Sequence, residues 1–163
     1  MANIKPEKAG KGEESVWDYP RPPKAEKSAR HLKVMFNGQT VAESNRTVRI
    51  LETSHPPVYY FPQEDVNHKL LQQSQHTTFC EFKGMASYFH LQVGDKKVEN
   101  AGWFYKKSRY PEINGHYAFY PSKMEACYIN DELVQAQKGD FYGGWITREI
   151  KGPFKGGSGT WGW

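Results

Sequence analysis

Tight-turn signals recur along this chain at short intervals, and more than any other feature they limit it to short extended segments. Asn37-Gly38 lies between two alternating apolar and polar runs, His31 to Phe36 and Gln39 to Ser44. Asn-Gly accepts the positive φ angles of a two-residue turn, so the pair predicts a hairpin. Asn45-Arg46, Lys83-Gly84, Gly94-Asp95 and Asn130-Asp131 repeat the punctuation. Between them Thr47 to Leu51, His76 to Phe82, Met85 to Val93, Val98 to Tyr105, Tyr117 to Tyr120 and Glu125 to Ile129 read as strands. Leu133 to Gln135 closes a last hairpin. The first three strands predict a meander. One stretch departs from the pattern: Gln63 to Gln73 sets Val66, Leu70 and Leu71 at helical spacing, with Glu64 and Asp65 early and Lys69 later. Charges in that order suit the helix macrodipole and predict one short helix. The expected fold is mainly β, eight or so short strands in a barrel-like arrangement or two packed sheets.

Charge and hydropathy exclude several classes of function. The net charge is +4, but residues 1 to 30 and 151 to 163 carry that surplus. The body from 31 to 150 holds thirteen Lys/Arg and thirteen Asp/Glu, and a neutral body offers no basic face for a phosphate backbone. Nucleic acid is therefore not an expected partner. No apolar run approaches the roughly 18 residues of a membrane span, and no apolar leader opens the chain. A mean hydropathy of −0.81 fits a soluble, cytoplasmic protein. Cys80 and Cys127 are far apart and form no close-spaced pair. Structural zinc is not indicated, and a disulfide is unusual in a reducing compartment.

The ends differ from the body. Residues 1 to 15 lack apolar periodicity and read as a disordered tail. Residues 16 to 30 form a strap rich in proline and aromatics, with Trp17 and Tyr19 beside Pro20, Pro22 and Pro23. Either it packs its rings onto the domain, or it covers a pocket with Arg21 available for an anion. Residues 31 to 150 make the domain. Residues 151 to 163 form a tail of glycines with Trp161 and Trp163. Those tryptophans either dock, beside Trp17, or bind a partner.

Two stretches concentrate chemistry. Glu52-Thr53-Ser54-His55 stands directly before Pro56-Pro57 and the aromatic run Val58 to Phe61. Adjacent prolines fix their own φ and extend the residue before them, so the polar groups enter the strand in a set orientation. Cys80-Glu81-Phe82-Lys83-Gly84 is the second. On a strand, alternation puts Cys80 and Phe82 on one face and Glu81 and Lys83 on the other, unless the turn at Lys83-Gly84 relaxes it. A neighbouring ammonium favours a thiolate, so Cys80 is either a nucleophile with His55 or His76 as base, or a core cysteine. Glu64-Asp65 is explained by its place in a helix's first turn, and His68, His90 and His116 fit no metal-ligand spacing. No phosphate-cradling glycine loop or hydrolase elbow is present, and no cofactor is implied.

Val41-Ala42-Glu43-Ser44, Glu52 through Pro62 with Asp65-Val66, Cys80 through Gly84, Ala101 through Tyr105 and Ala118-Phe119-Tyr120 fall in an order that resembles the family called domain of unknown function four-two-seven. Trp17 to Pro23 and Gly139 to Trp163 resemble its cyanobacterial members. The resemblance implies a β-tent architecture, two antiparallel sheets at an angle with a site between them, as in methionine sulfoxide reductase B. Relatives of that architecture often hold zinc through cysteines absent here. Some collections label the family nucleotidyltransferase, yet no carboxylates are spaced to hold magnesium on a triphosphate. Glu81 stands where the family usually has proline.

These readings combine into a cleft lined by Glu52, Tyr60, Cys80, Lys83, Trp103 and Tyr105, with His55 and Arg21 near it. It is expected to bind a small polar or anionic metabolite, Lys83 meeting the charge and the rings a planar part. Any catalysis would fall to Cys80 and Lys83, with Glu52 as acid or base. The alternative is a non-catalytic interaction module working through its tryptophan-bearing ends.

Overall fold

The computed structural model describes residues 4–139 and 141–163, and they form a mainly β protein. The strands are β1 Glu14–Ser15, β2 Lys24–Ser28, β3 Leu32–Phe36, β4 Gln39–Ser44 and β5 Thr47–Leu51. There follow β6 Val58–Tyr60, β7 Leu71–Cys80, β8 Gly84–Val93, β9 Lys96–Phe104 and β10 Tyr117–Phe119. The last are β11 Ala126–Ile129, β12 Glu132–Leu133, β13 Gln135–Ala136, β14 Trp145–Ile146 and β15 Ile150–Lys151. Among the described residues no helix is long and apolar enough to cross a membrane.

Three antiparallel sheets carry the fold, ordered β2-β5-β6, β10-β9-β8-β7 and β12-β11-β3-β4. The first two meet where Phe61 and Tyr117 exchange backbone hydrogen bonds of 2.8 and 2.9 Å. One side of this joined surface carries Val48, Ile50, Tyr60, Tyr88, Trp103, Tyr105 and Tyr120. Its other side carries Tyr59, Phe61, Phe89 and Phe119, packed with Leu32, Val34, Cys127 and Ile129 of the third sheet. The resulting arrangement is tent-like. Phe61, Phe89, Phe119 and Trp145 are at most 1% exposed, each burial stabilising by roughly 2–3 kcal/mol. Gly102 permits this packing, because a Cβ there would collide with the Ala118 carbonyl oxygen and the Phe89 ring.

Two sequence expectations need correction. The predicted helix over 63–73 is instead two 3-10 turns, Gln63–Asp65 and His68–Leu70, followed by β7. Tertiary pairing overrides the helical spacing: Val66 bridges Ala42, and Asn67 N–H donates to Val41 O at 2.9 Å. Asp65 answers to Arg46 and Ser44, whose groups lie 2.6–3.0 Å from its carboxylate, rather than to a helix dipole. The expected three-strand meander also fails. β3 pairs β4, but β5 crosses to the other sheet between β2 and β6. All five residues of β5 are buried, which a strand on the open edge of a meander could not achieve.

The chain ends are held closely. β1, in the segment that lacked periodicity, pairs in parallel with β15. Glu14 grips the buried Arg49 with both oxygens at 2.9 Å and accepts the Tyr19 hydroxyl at 2.7 Å. Glu26 on β2 takes a third Arg49 contact at 2.9 Å, and Arg30 meets Glu149 at 2.8 Å. Trp17 donates its indole N–H to Pro153 O at 2.9 Å, and its ring meets Trp163 edge-on at 5.4 Å.

Candidate functional site

Between the three-stranded and four-stranded sheets lies a cleft of about 290 Å³. Glu52, His55, Tyr60, Cys80, Lys83, Trp103 and Tyr105 all border it. Residues from the diproline bend and from the cysteine-lysine turn thus share one hollow. Arg21 does not border it; its guanidinium donates to Thr53 O at 3.0 Å. Nor do Trp17 and Tyr19 cover it, being occupied with Pro153 and Glu14.

Local geometry explains how each group arrives. β5 ends at Leu51, and the chain reverses through Ser54, whose φ is 70°. Ser54 N–H donates to Val16 O at 3.0 Å, and its own carbonyl accepts Lys155 N–H at 2.9 Å. The loop carrying Glu52 and His55 is therefore clamped by both ends of the chain. Pro57 O accepts Trp145 N–H at 2.8 Å, which fixes the diproline exit. On the other wall, Cys80 pairs with Gly84 across the β7–β8 hairpin, and Gly84 takes φ 102°, a value that favours glycine. Strand alternation stops at Cys80, so the expected split of faces does not hold: Cys80, Glu81, Phe82 and Lys83 all touch the cleft. Ser108 Oγ donates to Lys83 O at 2.7 Å, and Arg109 donates to Glu81 O at 3.2 Å.

Burial makes the electrostatics strong. Desolvation opposes the Lys83 ammonium, but the Tyr60, Cys80 and Glu52 side chains outweigh it and leave its pKa raised, so the group stays charged at neutral pH. Burial above all, then the Lys155, Lys83 and Arg21 cations, push His55 down to about 4. Although Glu52 lies 3.9 Å from its Nε2, the imidazole is neutral at pH 7, and the pair is no salt bridge. Gln137 Nε2 stands 3.3 Å from His55 Nδ1; the amide donates, which assigns the ring proton to Nε2. Tyr60 is fully enclosed and accepts the Trp103 indole N–H at 3.1 Å. Burial first, then neighbouring phenols and Cys80, raise the Tyr105 phenol. Among the described residues no three His, Cys, Asp or Glu gather as a metal site.

The C-terminal segment supplies what sequence reasoning missed. Tyr142, Gly143 and Lys155 border the cleft, as do Thr78, Tyr88 and Tyr120 from the sheet. Gln137, only 3% exposed, ties the wall together by donating to Lys155 O at 2.7 Å and accepting Gly144 N–H at 3.1 Å. A Cβ on Gly143 would run into the Trp103 ring, and one on Gly144 would lie 2.5 Å from Pro56 and Gln137. The Gly143-Gly144 pair between aromatic residues is the sequence trace of this close approach.

Residues 24–130 match the model of the family described as Domain of unknown function (DUF427). The chain belongs to that family. No curated protein matches it. The DUF427 match runs from β2 to just past β11. It therefore includes Glu52, Tyr60, Cys80, Lys83, Trp103 and Tyr105, and it excludes Gln137, Tyr142, Gly143 and Lys155.

Proposed function

We propose that this DUF427 protein binds a small polar or anionic metabolite in the cleft between its sheets. The observation that carries the reading is the Lys83 ammonium, half-buried, charged and paired with no carboxylate among the described residues, beside a wall of Tyr60, Tyr88, Trp103 and Tyr105. Such a site offers ring faces to an apolar or planar body and a desolvated cation to a charged end. A volume of about 290 Å³ lies at the small end of ligand cavities, which run from roughly 300 to 1,000 Å³. If chemistry follows binding, Cys80 is the nucleophile beside Lys83, with Glu52 as acid or base.

A thermal-shift screen of carboxylates, sugar phosphates and nucleotides tests the reading, with Lys83→Met as control. Stabilisation of the wild type that disappears in Lys83→Met supports it; no stabilisation, or stabilisation indifferent to Lys83, refutes it. A second reading, an interaction module, is favoured by one residue: Trp161 is 91% exposed, whereas Trp17 and Trp163 engage each other. Loss of partner capture in Trp161→Ala, with ligand binding untouched, would support that reading.

A further inference from the structure

Glu52 and Lys83 both border the cleft and act on one another through space, yet they form no ion pair. The Glu52 side chain is only 19% exposed, and its salt-bridge-range neighbour among the described residues is the neutral His55 Nε2, 3.9 Å away. Among the described residues none donates a hydrogen bond to its carboxylate. Lys83 shares the cleft with the Cys80 thiol and, among the described residues, forms no salt bridge. The remaining cleft cation, Lys155, spends its ammonium on the main-chain oxygen of Trp163 at 2.9 Å. A largely buried carboxylate and a half-buried ammonium thus face a shared cavity, each without a strong partner among the described residues. Groups removed from water in this way demand one.

A simple anion would satisfy Lys83 but meet repulsion from Glu52. A simple cation would meet the reverse. A ligand with both charges a few ångströms apart answers both at once, and its remaining body lies against the tyrosine and tryptophan wall. We infer that the cleft takes a small zwitterion of the α-amino-acid type, its ammonium on Glu52, its carboxylate on Lys83 and its side chain on the rings of Tyr60, Trp103 and Tyr105. This rests on the proposal that Lys83 meets a ligand's negative charge, and it adds that Glu52 selects a positive one. His55, kept neutral, leaves both charges unscreened and presents its Nε2–H as a further donor.

Calorimetry with L-alanine, L-leucine and L-phenylalanine, each compared with its N-acetyl and amide derivatives, tests the inference on the wild-type protein. N-acetylation removes the ammonium and amidation removes the carboxylate, so each should raise Kd roughly tenfold or more. Leucine and phenylalanine should bind more tightly than alanine. Glu52→Gln should abolish the preference for free over N-acetylated ligand, and Lys83→Met the preference for free acid over amide. Circular dichroism of both variants checks their folding, and the derivative series decides the matter on the wild type if either variant does not fold. Equal binding of N-acetyl and free amino acids overturns the zwitterion while leaving an anion cleft standing. Equal binding of amides and free acids overturns both readings at Lys83. No binding by any of the nine compounds overturns the zwitterion, and the anion screen then decides the broader reading alone.

Discussion

Glu14→Gln isolates the charge that fastens the first strand to the body of the protein. The wild-type carboxyl is lowered from 4.5 to about 2, chiefly by its hydrogen bonds from Arg49, with burial opposing and the Tyr19 hydroxyl assisting. A depression of that size corresponds to at most about 3 kcal/mol of stability. The side chain remains 31% exposed, and solvent screening reduces the figure to about 2 kcal/mol. Because the folded pKa is the lower one, this stability is complete above about pH 5 and is lost as the pH falls towards 2. Urea denaturation at pH 7 should place Glu14→Gln about 2 kcal/mol below wild type, or about 4–8 °C lower in Tm for a chain of this size. By pH 3 the gap should shrink by more than half. Equal stability at pH 7, or a gap that persists unchanged to pH 3, would refute the argument that a charged Glu14 holds Arg49.

Three further outcomes follow from the cleft. Gly143→Ala should destabilise by about 1–3 kcal/mol, because the new methyl drives the loop off the Trp103 ring; denaturation followed by tryptophan fluorescence measures both effects. His55, held down to about 4, should show no imidazole protonation by NMR between pH 7.5 and 5.5. Since the unfolded ring takes its proton first, stability should fall as pH drops from about 6.5 towards 4, and His55→Asn should flatten that slope. Iodoacetamide at neutral pH should label Cys80 in the native protein and reach Cys127 only after unfolding, since Cys127 is 2% exposed and burial raises its thiol pKa; peptide mapping reads the result.

Local chemistry explains which parts were legible. Asn37, Gly94 and Asn130 take positive φ where Asn-Gly, Gly-Asp and Asn-Asp announced turns, and the strands between them alternate as their residues require. The helix over 63–73 was misread because its spacing is overruled by a pairing to β4, and no window of sequence contains both partners. β2 was hidden for the same reason: Lys24–Ser28 carries three charged residues, one serine and a single alanine, and it is a strand because it pairs with β5, where Arg49 meets Glu26. Half of the cleft could be read from types of residue whose chemistry is conspicuous, namely Cys80, Lys83, Glu52 and the aromatic strands. Gln137 carried no such mark. A lone glutamine looks like surface, and only the approach of His55, Lys155 and Gly144 gives its amide three partners.

The wall of Phe141, Tyr142, Gly143 and Lys155 stands outside the stretch that defines the family, yet it borders the hollow which that stretch lines. Any relative that keeps the sheets but carries a different tail would present the same floor under another ceiling. On the proposed reading, ligand choice would then vary through a segment outside the family match, with Trp145 anchoring it in the core. On the proposed ligand reading, two proteins with matching cysteine, lysine and glutamate but different tails should differ in what they admit, and swapping the tails should exchange their preferences.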